Sequence, residues 1–123
     1  MINEEQIVWN RAAMEYGGKT PKNGDRALAD LLVAHGLVMN GGVLDAVETL
    51  GDKLAAACSG YRFFGFDNVA SLLEEAQVFS DEDQEKREES LNLAYAKAIP
   101  SDGVIVDRFR AHFATHPEIY SPM

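Results

Sequence analysis

The chain has 123 residues, 46% of them hydrophobic, and its 20 acids outnumber its 11 bases for a net charge of −9. This length fits one domain over residues 1–123 with a sizeable core, and the acid excess disfavours direct contact with nucleic acid or an anionic membrane surface. The lone Cys58 excludes an internal disulfide and fits a reducing compartment.

The start, Met1-Ile2-Asn3-Glu4-Glu5, lacks the basic and apolar regions of a signal peptide. No run approaches the ~18 apolar residues of a membrane span. A cytoplasmic location is therefore expected. A first helix is predicted over residues 3–16, with Ile7, Val8 and Ala12 on its apolar face and Glu4 and Glu5 suiting the helix dipole. Trp9 reads as a core anchor rather than a ligand-stacking residue. The stretch from Gly17 to Gly24 is dense in breakers and reads as a loop. It holds Gly, Lys and Thr in sequence, but without the spacing of a phosphate loop.

Asn23 or Asp25 is the expected cap of a second helix running to about Val38, with Leu28, Leu31, Leu32 and Val38 at helical spacing. Asn40-Gly41-Gly42 then turns the chain, and Val43, Leu44, Val47 and Leu50 resume the pattern. Asn40 is the expected cap of this third helix, whose first amides could alternatively hold an anion. A fourth helix follows Gly51, with Leu54, Cys58 and Tyr61 on one face, so Cys58 reads as a small buried apolar residue. The aromatic run from Tyr61 to Phe66 closes the core, or lines a pocket.

Asp67 is the expected cap of a fifth helix carrying Val69, Leu72, Leu73 and Ala76 inward and Glu74 and Glu75 outward. Ser80-Asp81-Glu82-Asp83 reads as an imperfect capping box opening a sixth. Its apolar stripe arrives only with Leu91, Ala94, Tyr95 and Ala98, and Pro100 ends it. Ser101-Asp102 begins a seventh with Ile105, Phe109 and Phe113. The run from Gly103 to Val106 could alternatively be a strand, but no second strand is evident to pair with it. The fold expected is an all-α bundle of about seven short helices.

No catalytic constellation stands out. His112 and His116 lie four apart, a zinc-site spacing, but Phe113 occupies the position where a metalloprotease has Glu. Further ligands would have to come from His35 or Glu118. Cys58 lacks the local signature of a catalytic thiol. No cofactor or metal is predicted.

Charge distribution is the distinctive feature. Between residues 74 and 89 stand eight acids (Glu74, Glu75, Asp81, Glu82, Asp83, Glu85, Glu88 and Glu89) and two bases, a net of −6. Residues 90–123 sum to zero. One reading is an ordinary solvated helix face, with the first acids stabilising a helix start and Glu82 and Lys86 at ion-pair spacing. The other is a docking surface for a basic partner. A helix over residues 81–89 would carry one net charge per ~3 Å of axis, against one per ~1.7 Å in duplex DNA. To approach that density it needs Glu74, Glu75 and acids of neighbouring helices, or a homodimer.

The runs from Val38 to Val43, Leu54 to Ala57 and Val69 to Ala76, with Leu91 to Tyr95 and Phe113 to Tyr120, resemble the bacterial DNA-mimic-protein-like family. The likeness spans roughly residues 28–120, and its most specific part is the Asn-Gly-Gly elbow. The family's usual aromatic and glutamine after that elbow are replaced by Val43 and by Asp45 or Ala46. The resemblance implies an acidic all-helical protein, not an enzyme, of a group in which some members occupy the DNA-binding surface of a partner. On this basis a non-enzymatic interaction protein is expected, docking on a basic surface such as that of a DNA-binding regulator. An immunity or antitoxin-like protein shares the acidic face and differs in partner. A small-ligand domain would instead use the aromatics of Tyr61–Phe66 with Trp9.

Overall fold

The computed structural model describes residues 3–78 and 83–122. They form α1 (Glu4–Glu15), α2 (Asn23–Gly41), α3 (Val43–Leu50), α4 (Leu54–Phe63), α5 (Asp67–Gln77), α6 (Gln84–Ala98) and α7 (Asp102–Thr115). Short 3-10 turns cover Gly51–Lys53 and Pro117–Ile119, and no strand occurs among the described residues. The all-α expectation holds, and Gly103–Val106 lies inside α7.

The 19-residue α2 is the central element, packing on α1, α3 and α4. Leu28, Leu31, Ala34 and Val38 repeat along its inward face and are buried, as that spacing requires. Its closest neighbour is α4, and Gly60 is the reason. A Cβ there would lie 2.6 Å from the Ala27 carbonyl oxygen and 3.1 Å from the Leu31 nitrogen. Only a residue without a side chain lets two backbones meet so tightly. The small Ala57 and Cys58 beside it are also buried, and the Cys58 thiol donates to the Ala70 carbonyl.

Several expected helix ends are corrected. Asn40 does not cap α3, because α2 continues through it to Gly41 and the turn is made at Gly42 alone, at φ 91°. The first amide of α3, on Val43, is instead taken by the side chain of Asn92 from α6, at 2.8 Å. The anion site expected on the Gly41 and Gly42 amides is not formed either, because Gly41 is the last residue of α2 and the Gly42 N–H donates to the Val38 carbonyl. Asp67 is the first residue of α5 rather than its cap, which is Phe66. Neither Asn23 nor Asp25 is the N-cap of α2, which is Lys22. Asp25 sits three residues on and accepts from the Lys22 amide. Helix α6 starts at Gln84 behind Asp83, whose carboxylate accepts from the amides of Glu85 and Lys86. Ser80 of the expected box lies outside the described residues.

Two polar assemblies run through the body. In the first, the fully buried Asp25 accepts from Arg11 at 3.1 Å, the Lys22 amide at 3.0 Å and the Ser121 amide at 2.6 Å. Arg11 also donates to the carbonyls of Ser121 and Pro122, so one ion pair fastens α1, α2 and the C-terminal segment together. The second is a chain of side chains across four helices. Tyr61 on α4 meets the Tyr95 hydroxyl on α6 at 2.6 Å, Tyr95 meets His35 Nδ1 on α2 at 2.8 Å, and His35 Nε2 meets Asp102 on α7 at 2.7 Å. If Tyr61 donates to Tyr95, Tyr95 to Nδ1, and Nε2–H to the carboxylate, every proton has an acceptor. Burial pushes both tyrosines well above the usual phenol range.

Candidate functional site

Of the eight acids singled out in the sequence, Asp81 and Glu82 lie outside the described residues. The other six are exposed, but the fold does not gather them equally. Glu85, Glu88 and Glu89 fall within about 100° of arc on α6, on the flank from which Asn92 reaches α3. There they border the elbow: a Cβ on Gly42 would touch both Asn92 and a Glu88 carboxylate oxygen. Among the described residues none of these three takes part in an ion pair. The exposed Asp45 and Glu48 of α3, which packs against α6, add carboxylates that the sequence window of residues 74–89 did not include.

The remaining acids stand differently. Glu74 points from α5 toward α4 and pairs with Arg62, both half exposed. Such a surface pair is worth little in stability but cancels charge locally. Glu75 lies one residue and ~100° further round the helix. Asp83 is engaged as the cap of α6.

Arg87, a base embedded in the acidic run, reaches back to α5 and donates to the carbonyls of Glu75, Ala76 and Val78. These are carbonyls at the helix end, where a cation is favourable both as a donor and toward the helix dipole. Its position leaves the opposite flank of α6 to the carboxylates. Helix α6 itself buries only Leu91 and Tyr95 along its length. It is held to the body by polar hooks at Arg87, Asn92 and Tyr95, each on a different neighbouring helix.

The other candidates resolve simply. His112 is on α7 while His116 follows its end, so the two are not on one helix face. Their rings stack at 4.9 Å. Nδ1 of His112 is bonded to the Tyr120 hydroxyl and Nδ1 of His116 to Thr115. Burial, reinforced by the neighbouring His116, lowers the His112 pKa. Among the described residues no three His, Cys, Asp or Glu side chains are grouped to hold a metal. Burial pushes the Cys58 thiol up, the reverse of an activated nucleophile.

The aromatic pocket expected from Tyr61–Phe66 with Trp9 is not formed. Tyr61, Phe64 and Phe66 are buried, and Tyr61 packs edge-on against Phe66 and Tyr95. Trp9 packs instead on Phe109, beside a separate groove between α1 and α7.

Fold and surface together define an acidic, all-helical protein whose α6 carries unpaired carboxylates beside the α2–α3 elbow. A protein-family model described as DMP19-like protein matches residues 20–118. The chain belongs to this family, the DNA-mimic-like group that the elbow resembles. No curated protein and no solved structure matches it. No helix among the described residues is long and apolar enough to cross a membrane.

Proposed function

We propose that this protein is a non-enzymatic DNA mimic, whose acidic face docks on the basic surface of a nucleic-acid-binding protein. The observation that carries the reading is the unpaired trio of Glu85, Glu88 and Glu89 on one flank of α6. Over the ~6 Å of axis they span, their positions are ~4.5 Å and ~1.5 Å apart, an average of ~3 Å. A single strand of duplex DNA places a phosphate every ~3.4 Å. The flank therefore has the linear charge of one strand over about two nucleotides. Glu75 and Asp83 extend the docking face along the chain, with Glu74 in reserve behind its Arg62 pair, and Asp45 and Glu48 extend it across α3; Asp81 and Glu82 add to its charge by sequence alone. A homodimer would double the footprint. An immunity or antitoxin-like role uses the same face on a different basic partner.

The test is competition. Immobilised protein is expected to retain DNA-binding proteins from its native cytosol at low salt and release them to added duplex DNA. A Glu85→Lys, Glu88→Lys, Glu89→Lys variant should retain far less, because reversing rim charges removes both steering and complementarity. Retention unchanged by DNA, by salt and by the triple reversal would refute the proposal.

A further inference from the structure

Away from the acidic face, α1 and α7 enclose an open groove of about 470 Å³. That volume falls in the range of small-molecule sites. Its floor is aromatic: the fully buried Phe109, with the half-buried Trp9 tilted against it at 5.7 Å between ring centres. Val106 adds an apolar wall. Along the α1 side, Gln6 and Asn10 lie four residues apart, so their amides stand one above the other on the same face, flanking the indole. Each is exposed and presents both a donor and an acceptor. At the rim, Arg110 Nε donates to Glu5 at 2.8 Å, so the two charges near the groove offset one another.

We propose that this groove binds a neutral, planar nitrogen heterocycle of the nucleobase type. The chemistry selects that class for three reasons. A flat ring gains most from an aromatic floor, where stacking on indole contributes beyond mere burial. A paired amide edge recognises a ring that carries a donor and an acceptor side by side. The Arg110–Glu5 pair leaves no net charge to attract an ion, which disfavours phosphorylated or carboxylated ligands. The site shares none of the docking-face residues and does not depend on the mimic reading.

Trp9 is the only tryptophan, so its fluorescence reports on the groove directly. The probe is adenine, titrated into the full chain with excitation at the red edge of the indole band. Saturable quenching is expected, half-complete near ~1 mM or below, the range open to a ligand of this size. Gln6→Leu and Asn10→Leu are surface changes that leave the core intact. Each should weaken binding by about tenfold, the effect of one lost hydrogen bond with its orphaned partner. Unsaturable quenching, or wild-type affinity retained in both leucine variants, would overturn the proposal. So would toluene, which has a flat ring but no polar edge, binding as tightly as adenine. Unchanged melting temperatures of the two variants would confirm that any loss is local.

Discussion

Replacing Asp25 with alanine should be among the most destabilising single changes available, although the residue lies far from the acidic face. The carboxylate is fully buried and accepts from Arg11, the Lys22 amide and the Ser121 amide. Its loss orphans two backbone N–H groups at ~1–3 kcal/mol each. It also strips a mostly buried guanidinium of its counter-charge. Arg11 keeps the carbonyls of Ser121 and Pro122 and a 15% exposed side chain, which limits that second penalty. Breaking one partner out of such a pair costs about 3–5 kcal/mol in comparable sites, a large share of the ~5–15 kcal/mol that holds a domain together. At ~4 °C per kcal/mol for a chain of this size, thermal unfolding should shift down by roughly 12–20 °C. Far-UV circular dichroism or calorimetry measures this directly. The C-terminal segment should also lose amide protection first, because Asp25 holds it from the start of α2. A shift of only ~2–3 °C would mean that the assembly is not the clasp described.

Two further outcomes follow from the packing. Gly60→Ala should cost about 1–3 kcal/mol, because the new methyl meets the Ala27 carbonyl and Leu31 amide of α2, which are backbone atoms and cannot step aside; denaturant midpoints check it, and an unchanged midpoint would show that α2 and α4 can part freely. Stability should also fall as pH drops through about 6.5 toward the lowered folded-state value of His112. Between those two values the unfolded chain binds more protons than the folded one, so the slope of stability against pH is positive there. The melting temperature should fall with pH across that window for the wild type and depend less on pH for His112→Asn.

The sequence made the helices legible because their apolar residues repeat at helical spacing, and α2, α3 and α5 were the plainest cases. Ends were harder to place because several are decided by residues distant in sequence. The start of α3 is capped by Asn92, 49 positions away, and the end of α5 by Arg87, 11 to 12 positions beyond the Glu75 and Ala76 carbonyls. Local capping rules pointed to Asn40 and Asp67 because they see only neighbours. Asp25 shows the same limit. It sits at a helix start, where acids are common, and nothing local marks it as the buried junction of the two chain ends.

The candidate face was legible as composition and only partly as geometry. A run of eight acids is visible in any reading, but the window cannot distinguish Glu74, engaged by Arg62, from Glu88, left open beside the elbow. The distinction depends on where Arg62 and Arg87 fall, and both face α5. Those two bases engage groups on α5, and among the described residues the carboxylates on the far flank of α6 form no ion pair. Charge counting therefore overstates the density on α5 and understates how cleanly α6 presents its own. If docking occurs as proposed, reversing Glu88 should matter more than reversing Glu74. Glu88 belongs to the carboxylate trio on the α6 flank, whereas Glu74 stands on α5, paired with Arg62 and outside that trio.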